Sequence, residues 1–180
     1  MSLTIADVEK VQAEHPDWQL ELVDGKILAM GPCDYTSDEI GTEFARQLGN
    51  WVRPRRLGRV TGSSAGFILP NTDLRAPDVS FVRAERLKRS KRDFVELVPD
   101  LMVEVKSKSD RIPPLAKKIQ LFLTLGTQVG ILVDPDKLTL TVYRLATQPL
   151  VLRDGDILTV PELLPDWELA VSDLWPPEFE

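Results

Sequence analysis

Apolar residues recur along the chain with two periods. From Thr4 to Glu14, Ile5, Val8 and Val11 fall at helical spacing, with Thr4 or Asp7 placed to cap the helix and His15-Pro16-Asp17 to end it. From Leu20 to Leu28 the period drops to two on either side of Asp24-Gly25, a pair that favours a hairpin turn, and Gly31-Pro32 then breaks the strand. Helical spacing returns from Ser37 to Val52, where Ile40, Phe44, Leu48 and Trp51 form one stripe. Ser37 is the expected N-cap, Asp38 and Glu39 complement the first-turn dipole, and Pro54 stops the helix.

Residues Gly58 to Leu69, rich in Gly, Ser and apolar residues, read as a strand or hairpin, and Asn71-Thr72-Asp73 as a turn. Short strands follow at Asp78 to Val82 and Asp100 to Val105, separated by a helical turn and loop over Arg83 to Arg92. Leu115 to Leu125 is a second striped helix, with Pro113 and Pro114 at its start and Gly126 closing it. Val129 to Val133 is almost wholly apolar, as expected of a central strand covered on both faces. Asp134-Pro135-Asp136 turns the chain into Leu138 to Arg144, where alternation resumes. The pattern predicts one α/β domain over residues 1–180, a mixed sheet flanked by helices, with no repeat or internal linker.

Composition narrows the chemistry. At 43% hydrophobic and 28% charged, the chain is globular rather than disordered. No apolar run approaches the roughly 18 residues of a membrane helix, and the N-terminus lacks the pattern of a signal peptide, so a cytoplasmic protein without membrane contact is expected. Cys33 and His15 are each the only residue of their kind, which excludes internal disulfides, cysteine-based zinc sites and multi-histidine metal sites. Any metal must be held by oxygen, which points to Mg2+ or Mn2+. The net charge is −6, but Arg46 to Lys118 holds 17 Lys and Arg against 8 Asp and Glu, while the remainder holds 5 against 20. A basic middle between acidic ends hints at a polyanionic partner, or is a pair of solvated basic loops.

Two apolar strands carry charges at informative places. Period two puts Met102, Glu104 and Lys106 on one strand face, and Asp78 opens the other strand. If the strands are neighbours, two carboxylates and an ammonium converge at one end of the sheet. Two carboxylates can hold a hard divalent cation, which polarises a phosphoryl oxygen and activates a water, while a lysine positions the water or stabilises charge on phosphorus. The alternatives are an exposed Glu104–Lys106 pair and simple Pro-Asp turn chemistry. Ser63 and Ser64 have no histidine partner, and Gly58 to Gly66 lacks the lysine and spacing of a phosphate loop. The four tryptophans suit core or interface positions better than base stacking.

These residues resemble the bacterial restriction-endonuclease family within the PD-(D/E)xK nuclease superfamily. The resemblance covers nearly the whole chain: Glu21-Leu22-Val23-Asp24-Gly25-Lys26, the helix from Ser37, and Ala76-Pro77-Asp78-Val79-Ser80-Phe81-Val82. It continues through Pro99-Asp100-Leu101-Met102-Val103-Glu104, Ile131-Leu132-Val133-Asp134-Pro135 and Leu163-Leu164-Pro165. It implies a restriction-endonuclease-like fold, with Asp78, Glu104 and the Val105 carbonyl as metal ligands and Glu21 as an acidic residue near the site. Many members lack a lysine two positions after the glutamate and rely on one in the next helix, here Lys118. This chain has both, and Lys106 is the expected catalytic lysine, with Lys118 supporting it or contacting phosphate. Members often carry histidine where Ser37 stands, which leaves that position a capping role.

The expectation is therefore a metal-dependent DNA endonuclease using a metal-activated water, with Asp78, Glu104, Lys106, Glu21 and Lys118 at the centre. Arg83, Arg86, Lys88, Arg89, Lys91 and Arg92 are expected to contact DNA phosphates, with Arg53, Arg55, Arg56 and Arg59 extending that surface. A homodimer is expected, because cutting both strands is simplest with two sites. The alternative is a nuclease-like module that binds DNA or a protein partner without cutting.

Overall fold

The computed structural model describes residues 2–180. Helix α1 (Ile5–Glu14) leads into a hairpin of β1 (Gln19–Val23) and β2 (Lys26–Met30). The Asp7 carboxylate accepts from the Thr4 backbone N–H and hydroxyl, both at 2.8 Å, and closes the helix start. Asp24 and Gly25 turn the hairpin at φ of 48° and 70°, the left-handed pair that matches strand twist.

Helix α2 (Tyr35–Val52) begins before the expected Ser37. Asp34 is the cap and accepts from the Ser37 N–H at 3.0 Å. Ser37 instead lies buried in the first turn, its hydroxyl donating to Asp34 Oδ2 at 2.8 Å with the Lys106 carbonyl as a second acceptor 3.1 Å away. Ile40, Phe44, Leu48 and Val52 are the buried stripe. Trp51 is half-buried with the Arg55 guanidinium 3.4 Å from its ring centroid.

Strands β3 (Gly58–Thr61) and β4 (Phe67–Ile68) do not form a hairpin with each other. β4 pairs with β5 (Leu74–Arg75), and β3 pairs over four residues with β6 (Val79–Arg83). The longer ladder offers β3 more hydrogen bonds than the two-residue β4 could. After β6, the N–H groups of Arg86 and Leu87 close one turn on the Arg83 carbonyl, and the chain then bends to β7 (Leu101–Val105). Helix α3 (Ile112–Leu125), β8 (Val129–Asp134), β9 (Thr139–Tyr143), β10 (Leu150–Arg153), β11 (Ile157–Thr159), β12 (Glu168–Ala170) and a 3-10 turn at Val171–Leu174 complete the chain.

The main sheet runs β10-β9-β8-β7-β6-β3, with β7 and β8 parallel and the other pairs antiparallel. α3 makes the crossover that a parallel pair needs. One face packs on α2 and the C-terminal segment through Val79, Phe81, Val103 and Ile131. The other packs on α3 through Val82, Met102, Ile119, Phe122 and Leu132. Every residue of β8 is buried, as its unbroken apolar run demands. A Cβ on Gly130 would lie 2.4 Å from Ile119 Cγ2, so glycine there lets α3 sit close on the sheet. A second sheet, β2-β1-β5-β4, packs on α1 through Val8, Leu20, Leu22 and Leu74.

Candidate active site

The antiparallel register of β6 and β7 builds the centre. Val79 faces Val103 and Ser80 faces Met102, so the same register carried one step on sets Asp78 opposite Glu104. Val79 and Val103 point into the α2 side. Asp78 and Glu104 therefore share the α3 side with Met102. Asp78 Oδ2 accepts from the Val105 N–H at 2.7 Å, which fixes one carboxylate against the end of the other's strand.

Lys118 comes to this point from α3. Its Nζ lies 2.9 Å from Glu104 Oε1 and 3.3 Å from Glu21 Oε1, and it donates to the Ala76 carbonyl at 3.2 Å. Glu21 arrives from β1, where Leu20 and Leu22 face α1 and the intervening side chain faces the opposite way. Its side chain is buried. Its Oε2 accepts from Arg75 Nε at 3.0 Å and its Oε1 from the Ala76 N–H at 2.8 Å. Arg75, itself buried, also lies 3.8 Å from Asp73. The sequence reading passed over Arg75. Its signal was a charge inside the two-residue strand β5, flanked by the buried Leu74 and Pro77.

Lys106 does not join the cluster. β7 ends at Val105, so alternation no longer governs Lys106. Its N–H donates to the Val133 carbonyl, and its ammonium lies 2.7 Å from Asp136 beyond β8 and donates to the Ser107 carbonyl. Of the two lysines, only Lys118 touches Glu104.

Electrostatically the site is under-compensated. Burial pushes the Glu104 carboxyl up to about 7, against the pull of Lys118 and with the push of Asp78. Burial also raises Asp78, opposed by the Val105 N–H and Lys118. Burial lowers the Lys118 ammonium, but Glu104 and Glu21 outweigh it and hold it above the ordinary lysine value. Glu104 Oε1 is buried and, despite the nearby ammonium, receives no well-aligned hydrogen bond. Asp78 and Glu104 have further carboxylates nearby, Asp110 and Glu21, and Lys118 is the ammonium that pulls against them.

Among the described residues, no three His, Cys, Asp or Glu side chains form a metal cage by themselves. Two carboxylates and an adjacent carbonyl nevertheless suit an ion such as Mg2+, which keeps several waters and takes few protein ligands. Asp78, Glu104 and Val105 fit that donor set.

Over residues 5–172 the chain matches the family described as Uma2, putative restriction endonuclease. The chain belongs to this family. A crystal structure of a putative nuclease from Anabaena variabilis ATCC 29413 superposes with a TM-score of 0.76 at 25% identity, covering 86% of this chain and 88% of that one. No curated protein matches. The restriction-endonuclease-like resemblance and the mixed α/β fold flanked by helices are thus both found, and nuclease function in general follows from the family. Among the described residues no helix is long and apolar enough to cross a membrane.

The basic run is divided in its use. Arg83 and Arg86 are held by Asp100, at 3.1 and 2.9 Å. Lys88, Arg89, Lys91 and Arg92 are exposed.

Proposed function

We propose that the protein is a divalent-metal-dependent DNA endonuclease, with Asp78, Glu104 and the Val105 carbonyl as ligands of Mg2+ or Mn2+ and Lys118 as the working lysine. The observation that carries this reading is the juxtaposition of Asp78, Glu104 and Lys118, with a buried Glu104 oxygen that no well-aligned hydrogen bond satisfies. When bound, the ion supplies Lewis-acid polarisation of the phosphoryl group and a lowered pKa for water. Glu104 must release its proton to become a ligand, so metal affinity falls as pH drops below about 7. Asp78 is aimed by the Val105 N–H. Lys118, fixed by Glu21 and the Ala76 carbonyl, holds a positive charge where an attacking water or phosphate oxygen would gain negative charge. Glu21 is a positioning residue, anchored by Arg75 and the Ala76 N–H. Cutting both strands of a duplex would be simplest for a two-fold dimer with two sites.

The test combines cleavage with metal binding. Asp78→Ala and Lys118→Ala should each lower DNA cleavage with Mg2+ or Mn2+ by on the order of 100-fold or more. Millimolar metal should raise the unfolding midpoint of wild type but not of Asp78→Ala. Full activity in Asp78→Ala would sink the assignment. DNA binding indifferent to metal, with no cleavage, would favour a non-cutting module.

A further inference from the structure

A second concavity lies away from the carboxylates. A groove of about 1400 Å³ runs along the free edge of β3, and neither Asp78, Glu104 nor Lys118 lines it. Two basic stretches far apart in sequence meet there. Arg53 reaches it from the end of α2, and Lys91 and Arg92 from the loop after β6. All three are exposed, and none makes an ion pair among the described residues. Arg59 donates to the Leu87 and Lys88 carbonyls, both at 2.8 Å, and so ties the basic loop to the edge strand. With Arg46, the lining holds five cations against two carboxylates, Glu9 and Asp93. Counting Glu43, which pairs with Arg46 at 2.6 Å, the local excess is +2, opposite in sign to the −6 of the whole chain.

The walls are also apolar. Leu87, Phe94 and Val95 line the groove half-buried. A duplex keeps its bases stacked inside and offers mainly phosphates to such a surface. A single strand offers phosphates to the cations and unstacked bases to the apolar wall. The groove also touches the catalytic strand. Ser80 and Val82 line it, on the face of β6 that carries Asp78, and Ser80 lies two residues, roughly 7 Å, from Asp78.

We propose that this groove binds a single-stranded stretch of polynucleotide and leads it toward Asp78. The leading of a substrate rests on the nuclease reading, whereas the binding does not. The substrate would then be a nucleic acid with an unpaired flank rather than a uniform duplex.

The experiment is fluorescence anisotropy with the divalent metal chelated, using a labelled oligothymidylate and a blunt DNA duplex of equal length. Wild type should bind the single strand about tenfold or more tightly than the duplex. The triple variant Arg53→Ala, Lys91→Ala, Arg92→Ala should lose about tenfold or more of that affinity. Its slope of log affinity against log salt should shrink by about 2, at roughly 0.7 per lost phosphate contact. Lys137→Ala, on an exposed turn outside the groove, should change neither. Wild-type affinity and slope in the triple variant, with folding verified by circular dichroism, would overturn the proposal, and so would tighter binding of the duplex. Asp78→Ala should keep groove binding while losing cleavage. Groove-dependent binding without cleavage in wild type would defeat the nuclease reading and leave the groove standing. Metal-dependent cleavage with binding blind to the triple variant would defeat the groove alone.

Discussion

Asp100 and Glu104 stand four residues apart on or beside the same strand, and both are buried. Their surroundings differ in kind. Asp100 accepts from the Arg83 N–H at 2.8 Å and from Arg83 Nε at 3.1 Å, and Arg86 lies 2.9 Å away. Each of its oxygens accepts a hydrogen bond from Arg83, one from the backbone N–H and one from the guanidinium. Glu104 has one ammonium nearby, no well-aligned hydrogen bond to its Oε1, and Asp78 and Glu21 pressing on it with like charge. A buried charge with full compensation anchors the chain, here the exit of β6 onto the start of β7. A buried charge without it stores unfavourable energy that a ligand can relieve.

The sharpest way to separate the two ends is pH. The Glu104 carboxyl moves from its ordinary value of 4.5 in the unfolded chain to about 7 in the folded one, so the folded state holds the proton more tightly. The stability this contributes is full below pH 4.5 and is lost as pH rises through 7. The loss amounts to roughly 3 kcal/mol. Without metal, wild type should therefore lose more stability across that window than Glu104→Gln, by urea unfolding at several pH values. Parallel curves for the two proteins would erase the distinction drawn between Asp100 and Glu104.

A somewhat smaller effect is expected at the other end. Asp100→Asn removes the charge from two arginines and weakens the bond to the Arg83 N–H. Side-chain exposure of 34% and 32% for Arg83 and Arg86 lets water recover part of the loss. A cost of about 2 kcal/mol at neutral pH is expected from chemical denaturation. Glu104→Gln under the same conditions should cost well under that. Equal losses would mean that Glu104 is as much an anchor as Asp100.

What the sequence made legible follows the same division between local and distant causes. The α2 stripe, the Asp24-Gly25 turn and the apolar β8 are local patterns, and each appears where the sequence put it, except that Val52 replaces Trp51 as the last buried member of the stripe. Asp78 and Glu104 were legible because period two and a neighbouring strand suffice to bring them together. Lys118 was harder to place, since its role depends on where α3 lands across the sheet. A signal existed even so: with Leu115, Ile119 and Phe122 it falls inside the apolar stripe of α3, a costly position for a charge without a partner. Arg75 and Glu21 meet across the β1–β5 pair, over a separation that no local pattern reports. Ser37 misled in the opposite sense, as a plausible cap whose place Asp34 takes.

The smallest expected effect concerns the lysine that strand alternation favours. Lys106 and Lys118 both have carboxylate partners, but the partners differ in access to water. Asp136 has a side chain 70% exposed, whereas the Glu104 and Glu21 side chains are each 5% exposed. An ion pair open to solvent is screened, and its loss commonly costs little. Lys106→Ala should therefore shift the urea midpoint little and leave metal-dependent DNA cleavage within about tenfold of wild type, while Lys118→Ala loses far more. The Lys106 side chain is tethered by Asp136 and the Ser107 carbonyl, and to take part it would have to leave both. Asp136→Ala tests that directly, because freeing Lys106 should then raise cleavage if it is the working lysine and leave it unchanged if Lys118 is. Loss of cleavage in Lys106→Ala as deep as in Lys118→Ala would return the catalytic role to the strand and make the observed tether a resting state.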